Sequence, residues 1–454
     1  MPITNSVSQA KFRVAIVGGG MGGLVLALCL KKYAPDVRFD IYEAAAELAE
    51  LGAGISMSPR TWLMIKELGL VDELLPTTGT QAPTGNPLIF RKGDEDPAID
   101  LFELPQLHTV QRSILQQVLT KHIGGDDAIH FSKRLTSYES ETSPTAPITL
   151  HFKDGTTATC DLVIGSDGVR SAVRRTMFTD LANHAENQGQ TDEAAQLREM
   201  VEPVYSGQLA HRGIAPSSAL SAYAFAQTRS PQLLMGKNGD IIIYPIAGSK
   251  SVNVLAIRYI PGHGKVFDGP WVESMTQEAI AKLFEGWQPW ALEAIMAVEK
   301  PFRWAMHTVP ELPTYVTHRA ALIGDAAHAM LPYQGAGAGQ AFEDGFVLSL
   351  ILSSPAVTLS NLPEALKVYD DLRRPFSQGV QRGSERNGES YHLRRAGSDW
   401  ENLSEEDSRA GRYPREWLKD IAEDVQAQMR WTFEANIEDD RARVAERLAA
   451  LSPA

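Results

Sequence analysis

The sequence has 454 residues, of which 43% are hydrophobic and 22% charged, and its formal net charge is −13. Because this length exceeds one ordinary hydrophobic core, we expect a globular protein of two or three packed units. The negative charge argues against nucleic acids and anionic membrane surfaces as partners. Two cysteines cannot form a disulfide framework, and no stretch of about 18 apolar residues could span a bilayer. We therefore expect a cytoplasmic protein without a stable membrane anchor.

The first predicted elements form a strand–turn–helix–strand unit around a glycine turn. RVAIV predicts a buried strand, GGLVLALCLKKY a helix, and VRFDIYE a second strand that ends at Glu43. Gly18, Gly20 and Gly23 occupy the fixed places of a G-x-G-x-x-G pattern. These glycines permit a tight turn, close approach of a pyrophosphate and close helix–strand packing. An acid at the end of the second strand fits the unphosphorylated ribose of FAD or NAD better than that of NADPH.

The second site follows the predicted buried strand in DLVIGSDGVRSAVR, after a hairpin with an Asp-Gly turn. Asp167 lies in the turn after this strand, where it can hold either the turn itself or a bound ligand. A helix is predicted from Ser171, whose hydroxyl can cap it. Beyond it, residues of about 201–302 alternate short strand candidates with Gly/Pro turns, which predicts a separate, mostly antiparallel sheet.

The third site is LIGDAAHAMLPYQGAGAGQAFEDG, where a buried strand ends at Asp325. Gly335, Gly337 and Gly339 remove side chains from the following turn, and a helix is predicted from about Gln340. Its N-terminal amides would point at a bound group. In the tail, an apolar stripe recurs every four residues on a predicted helix that we expect to dock on the protein's own core; the stripe consists of Trp417, Ile421, Val425, Met429 and Phe433.

Taken together, these three segments resemble the dinucleotide, DG and GD motifs of group A FAD-dependent aromatic monooxygenases. Their branch is the salicylate-hydroxylase-like one, which includes fungal phenol hydroxylases and dearomatases. The resemblance covers about residues 11–376. It implies an α/β fold with a Rossmann-like FAD-binding domain of the GR2 type at 11–180 and 303–376. It further implies an inserted, mostly antiparallel substrate sheet at 201–302, followed by C-terminal helices at 377–454.

The resemblance also implies how FAD would be held. The pyrophosphate would lie on the first glycine turn, and the adenosine ribose on Glu43. Asp325 would bind the ribityl or pyrophosphate region. The family's further cofactor contacts match Gly54 and Ser56 in LGAGIS, Arg112 at a helix start, Asp167, and the backbone of Gly337 and Ala338 beside the ring. One departure is Ala44, where the family often has Arg or Lys directly after the acid.

The implied activity is hydroxylation of a phenolic or polyketide-derived aromatic by oxygen and NADPH or NADH, through a flavin hydroperoxide. Arg212 and Tyr244 are similar in context to the arginine and tyrosine that hold the phenolate in the dearomatising branch. The alternative for these two is a structural salt bridge and a core position. Arg170 and Arg174 are candidate phosphate contacts for the nicotinamide co-substrate. The competing activity is that of an FAD-dependent reductase or oxidase. No metal is predicted. The sequence leaves open whether the protein is a monomer or a homodimer and whether the product is a catechol or a dearomatised compound.

Overall fold

The computed structural model describes residues 10–48, 54–78, 86–124, 128–139, 145–262, 264–434 and 436–450, leaving aside the side chains of residues 105–107. Of the LGAGIS segment, residues 51–53 therefore lie outside the described residues. The described strands are β1 (Arg13–Val17), β2 (Arg38–Tyr42), β3 (Gly54–Met57), β4 (Asn86–Lys92), β5 (Ile99–Gln111), β6 (Ile129–His130), β7 (Leu135–Glu139), β8 (Ile148–Phe152), β9 (Thr157–Cys160), β10 (Leu162–Gly165), β11 (Val204–Pro216), β12 (Gln232–Gly236), β13 (Gly239–Ile246), β14 (Ser251–Tyr259), β15 (Val272–Ser274), β16 (Glu299–Thr308), β17 (Val316–Thr317) and β18 (Ala320–Leu322).

The helices of the same residues connect and cover these strands. They are α1 (Met21–Tyr33), α2 (Pro59–Glu67), α3 (Val71–Leu74), α4 (Arg112–Ile123), α5 (Ala172–Asn187), α6 (Thr191–Glu199), α7 (Ala222–Gln227), α8 (Gln277–Leu283), α9 (Pro289–Met296), α10 (Asp325–His328), α11 (Gly337–Ser353), α12 (Leu362–Tyr391), α13 (Glu405–Arg409), α14 (Glu416–Met429), α15 (Trp431–Glu434) and α16 (Ile437–Ala449). No helix of the described residues is long and apolar enough to cross a membrane.

A six-stranded sheet in the order β17-β18-β10-β1-β2-β6 forms the predicted Rossmann-like unit. Its pairs are parallel except for β17–β18. The central strands β1 and β10 are apolar and buried because helices cover both faces of such a sheet. The turns after β1, β10 and β18 all leave from the carboxyl ends of neighbouring parallel strands, which is where ligands of open α/β sheets bind.

A nine-stranded sheet in the order β15-β16-β11-β14-β13-β12-β4-β5-β3 stands beside it. Its pairs are antiparallel except for β4–β12. The predicted boundary of 201–302 is too narrow for this sheet, since β3, β4 and β5 lie in the segment assigned to the FAD-binding unit and β16 runs past residue 302. The reason is non-local pairing: Ile89 of β4 lies opposite Gln232 of β12.

Helix α14 docks on the protein's own core, as the apolar stripe predicted, but Phe433, the last residue of that stripe, belongs to α15 and is exposed. Ile421, Val425 and Met429 of α14 are buried with residues of the nine-stranded sheet and with Tyr391 of α12. A small sheet in the order β7-β8-β9 contains the predicted Asp-Gly turn, where Gly155 adopts φ +82°. The fold thus brings the carboxyl edge of the parallel sheet, one face of the larger sheet and α14 around a common space.

Candidate active site

A cavity of about 450 Å³ joins the two large sheets. Its walls include the turns after β1, β10 and β18, the face of β11–β14, and the start of α11. Nine of the predicted site residues line it: Gly20, Gly54, Ser56, Arg112, Arg212, Tyr244, Asp325, Gly337 and Ala338. Gly18, Gly23, Glu43 and Asp167 lie outside its lining. Segments that are far apart in the sequence therefore converge on one space.

The three glycines of the first turn serve three different geometrical needs. Gly18 adopts φ +107°, and a Cβ atom there would lie 2.3 Å from the carbonyl oxygen of Ser166. At Gly23 a Cβ atom would lie 2.1 Å from the carbonyl oxygen of Gly18, so this glycine allows α1 to pack against the turn. A Cβ atom at Gly20 would meet nothing within 4 Å. Gly20 therefore leaves space on the cavity side, as close approach of a pyrophosphate requires.

Glu43 is attached directly to this glycine turn. Its Oε2 accepts a hydrogen bond of 2.8 Å from the Gly19 amide, and its Oε1 accepts one of 2.7 Å from the Ala45 amide. Each carboxylate oxygen can accept further hydrogen bonds. Since Glu43 is partly exposed, its remaining capacity is available to the hydroxyl groups of a ribose.

Asp325 and the glycines that follow it have different surroundings. Asp325 is exposed, lines the cavity and makes no hydrogen bond or ion pair with other described residues. A Cβ atom at Gly337 would meet only Cγ of Met330, at 4.0 Å, whereas one at Gly339 would lie 2.4 Å from Oγ1 of Thr61. Helix α11 begins at Gly337 rather than at the predicted Gln340, so Gly337 and Ala338 belong to its first turn, whose amides are free of intrahelical partners.

Asp167 holds its own turn, which is one of the two roles that the sequence left open. The Asp167 carboxylate accepts hydrogen bonds from Ser171 Oγ at 2.5 Å and from the amides of Ala172 and Val173 at 2.7 and 3.2 Å. Burial raises the pKa of this carboxyl. Both oxygens of Asp167 thus serve the N-terminus of α5 rather than the cavity, which the neighbouring Ser166 and Gly168 line instead.

Arg174 is buried, and its guanidinium donates to the carbonyl oxygens of Val169, Val201 and Ala326. It joins the second and third predicted turns and offers no surface for a phosphate. Arg170 is exposed, and its guanidinium carbon lies 3.6 Å from the ring centroid of Trp271. The two arginines of the DG segment therefore have different environments, which their spacing alone does not indicate.

Arg212 and Tyr244 project into the cavity from the nine-stranded sheet. Burial lowers the pKa of Arg212 and raises that of Tyr244 to about 12, with the charge of Arg212 opposing the latter shift. Within the described residues neither Arg212 nor Arg112 makes an ion pair, so the structural salt bridge left open for Arg212 is absent there. A Cβ atom at Gly54 would lie 2.5 Å from Cε2 of Tyr244, so Gly54 makes room for this ring. His211 faces away, its Nδ1–H donating to the Ala256 carbonyl at 3.2 Å.

A buried ionic cluster beneath α11 escaped the sequence analysis. Glu343 accepts from Arg60 Nε at 2.7 Å and from Arg373 Nη1 at 2.8 Å. Asp344 accepts from Arg373 Nε at 2.9 Å, from His328 Nε2 at 2.6 Å and from the Gly324 amide at 2.9 Å. The cluster fixes the turn that carries Asp325. His328 is thereby held in place.

A second polar group that the sequence analysis missed lies in the cavity wall. Asp240 lines the cavity and is paired with His392, and Tyr333 lies beside them. Strand alternation could have identified Asp240 as a site residue, because GDIIIYPI places Asp240, Ile242 and Tyr244 on one face of β13. His392 has no such signal, since it belongs to the end of α12.

The residues of the cavity fit FAD. Gly20 and Gly337 leave space where side chains would intrude, and Arg112 lines the cavity without an ion pair to any described residue. Free backbone amides at the starts of α1 and α11 can serve an anionic or polar ligand.

Comparison with known proteins agrees with this geometry. The FAD binding domain family matches residues 11–227 and 292–384. A salicylate hydroxylase of Pseudomonas putida is 36% identical over 447 residues, which cover 95% of this chain and 97% of the relative. A 6-methylsalicylate 1-monooxygenase of Aspergillus terreus is 32% identical over 393 residues, covering 84% and 82%. A solved salicylate hydroxylase substrate complex superposes with a TM-score of 0.77 at 29% identity, covering 96% of this chain and 98% of that structure.

Proposed function

Since the chain belongs to the FAD binding domain family and is an aromatic monooxygenase of the salicylate-hydroxylase type, we propose that it hydroxylates a phenol that Arg212 and Tyr244 hold as the phenolate. The observation that carries this proposal is the charge of Arg212. It points into the cavity from a partly buried position, and no described acidic residue neutralises it. An anionic substrate oxygen would complete this site.

FAD is the cofactor, and a nicotinamide co-substrate supplies its electrons. When bound and reduced, FAD supplies the activation of oxygen that side chains cannot provide. We assign its pyrophosphate to the turn at Gly20, its adenosine ribose to Glu43 and its ring to the backbone of Gly337 and Ala338. Arg112 and Asp325 would contact the region between them.

The two polar side chains have complementary roles toward the substrate oxygen. A guanidinium is protonated at neutral pH, so Arg212 favours the ionised form of a nearby phenol and lowers its pKa. The phenolate donates more electron density to the ring, which raises the ring's reactivity toward an oxygen electrophile. With its own pKa at about 12, Tyr244 keeps its proton and can donate a hydrogen bond to the same oxygen.

Beside Arg212 and Tyr244 the cavity wall has an apolar part. One cross-strand row places Arg212 opposite Leu255, Leu255 opposite Ile242, and Ile242 opposite Leu233. An aromatic ring lying on this row would displace water and be held by its faces. Exclusion of water also strengthens the attraction between Arg212 and a phenolate, because the local dielectric falls.

The test uses protein loaded with FAD and a panel of phenols, each compared with its methyl ether, with NADH and NADPH supplied separately. We expect phenols to stimulate oxidation of the nicotinamide at least about 100-fold more than their ethers, since an ether cannot ionise. The product should gain one oxygen atom from labelled oxygen gas. If the consumed oxygen instead appears entirely as hydrogen peroxide or water with no hydroxylated product for any phenol, an oxidase or reductase replaces the proposed hydroxylase.

A further inference from the structure

The wall of the cavity carries a polar cluster at the end of β13 opposite Tyr244. This distal cluster consists of Asp240, His392, Tyr333 and Gln208. Asp240 and Tyr244 project from the same face of β13, and four residues of strand span about 13 Å. The distal cluster is therefore too far from Tyr244 to contact the phenolate oxygen that Tyr244 would hold.

Hydrogen bonds join the four residues of the cluster, which come from four parts of the chain. His392 Nε2 donates to Asp240 Oδ1 at 2.6 Å, and the two side chains are 1% and 2% exposed. The Tyr333 hydroxyl donates to Gln208 Oε1 and lies 3.2 Å from His392 Nε2. A Cβ atom at Gly388 would lie 2.4 Å from the ring of Tyr333, so α12 is shaped to admit that ring. Asp240 thus has little freedom to reorient.

One oxygen of Asp240 accepts no hydrogen bond from the described residues. Its Oδ1 holds His392, whereas no described residue donates to its Oδ2, although Asp240 lines the cavity and is almost fully buried. Because Asp240 lines the cavity, a ligand there can donate a hydrogen bond to this oxygen. Its neighbours across the sheet are apolar: Ile257 lies opposite Asp240 on one side and Met235 on the other. A donor for this oxygen must therefore enter through the cavity.

We propose that Asp240, held in position by His392, is a specificity-determining residue that accepts a hydrogen bond from a hydroxyl or amino group of the substrate, remote from its phenolate oxygen. The substrate class is then a phenol with a second hydrogen-bond donor, carried on the far side of the ring or on a side chain. This inference rests on the proposed function, because Arg212 and Tyr244 define which end of the substrate is the phenolate. If the hydrogen bond between His392 and Asp240 only joined α12 to β13, substrate affinity would not depend on that donor.

The test uses the FAD-loaded enzyme and pairs of phenols that carry a hydroxyethyl or hydroxypropyl chain, or the same chain with its hydroxyl methylated. Dissociation constants come from the change in the flavin spectrum, and kcat/KM from stimulated nicotinamide oxidation. We expect the free hydroxyl to be preferred by about 10- to 100-fold in at least one pair, as for a hydrogen bond to a charged group. Equal affinity and equal kcat/KM within every pair overturn the proposal.

Variants of Asp240 distinguish recognition of the substrate hydroxyl from a steric effect of the added methyl group. In Asp240→Leu the preference for the free hydroxyl over its methyl ether should fall to about threefold or less. If this variant does not fold, Asp240→Asn replaces it, and there the preference should fall to an intermediate value because a neutral acceptor is weaker. A preference that persists unchanged in either folded variant arises from the added methyl group and contradicts the assignment. His392→Gln, which can still donate to Asp240, should retain most of the preference.

Asp370→Asn is the matched control. Asp370 is a buried acid of α12 that accepts from the Tyr315 amide at 2.7 Å and pairs with Arg374, and it does not line the cavity. Its substitution should lower stability and leave the substrate preference unchanged. If no phenol yields a hydroxylated product, the proposed function fails, while the ratio of dissociation constants still decides the role of Asp240.

Discussion

Two pairs of arginines meet opposite electrostatic surroundings in this molecule. Arg60 and Arg373, beneath α11, are buried among Glu343, Asp344 and Asp440, and their guanidinium groups donate to these carboxylates. Arg112 and Arg212 line the cavity, and the described part of the chain supplies no acidic partner for them. The first pair balances its charge within the protein, whereas the second leaves its charge for a ligand.

The pKa shifts of these arginines distinguish those that stabilise the fold from those that can bind a ligand. Burial alone would lower the pKa of Arg373, but Glu343 and Asp344 raise it above the usual range. For Arg212 burial prevails and lowers the pKa. A positive charge that the protein destabilises is retained where binding of an anion compensates for it.

Arg373→Met should produce the largest effect, on stability. Removing this guanidinium leaves Glu343 and Asp344 buried with too few donors, so we expect the free energy of unfolding to fall by about 3–5 kcal/mol. Urea denaturation of the FAD-loaded protein, followed by tryptophan fluorescence, measures the change. Arg212→Met serves as control, because loss of a partly buried charge that has no acidic partner among the described residues should be neutral or stabilising. Equal destabilisation by both variants would remove the distinction between the two pairs.

Arg212→Met should have the next largest effect, on turnover. Loss of the cation removes the stabilisation of the phenolate, and we expect kcat/KM to fall about 100- to 1,000-fold, equivalent to about 3–4 kcal/mol. The dissociation constant for FAD should stay within about threefold of the original. In the variant, the dependence of the rate on pH should shift upward, since the bound phenol ionises at higher pH without the adjacent charge. Unchanged turnover in a folded, FAD-loaded variant would make Arg212 structural.

Features of the fold and the site that depend on a local sequence pattern could be predicted, whereas features that depend on contacts between distant residues could not. The roles of Gly18, Gly20 and Gly23 follow from a local pattern, because a tight turn before a helix imposes the same geometry wherever it occurs. The sequence left two roles open for Asp167, since a carboxylate in a strand–helix turn can serve a ligand or the helix amides equally well, and only the structure shows the bonds to Ala172 and Val173.

The larger sheet and the distal cluster depend on distant pairings. β4 pairs with β12 although the segment from β5 to β11, which contains the turn at Asp167, lies between them in sequence. The hydrogen bond between Asp240 and His392 joins residues 152 positions apart. Strand alternation in β13 indicated that Asp240 shares a face with Tyr244, but no local feature indicates that the end of α12 reaches it. Periodicity defines faces of elements, while tertiary packing decides which faces meet.

The smallest expected effects concern the first glycine turn, where two similar substitutions should act on different quantities. A Cβ atom at Gly23 would lie 2.1 Å from the Gly18 carbonyl, whereas one at Gly20 would meet open space. Gly23→Ala should therefore destabilise the protein without FAD by about 1–3 kcal/mol through overpacking. Gly20→Ala should leave that stability nearly unchanged and weaken FAD binding about tenfold, because the methyl group occupies the space assigned to the pyrophosphate. Denaturation without FAD and titration with FAD distinguish the two, and a Gly20→Ala variant that binds FAD normally would place the pyrophosphate elsewhere.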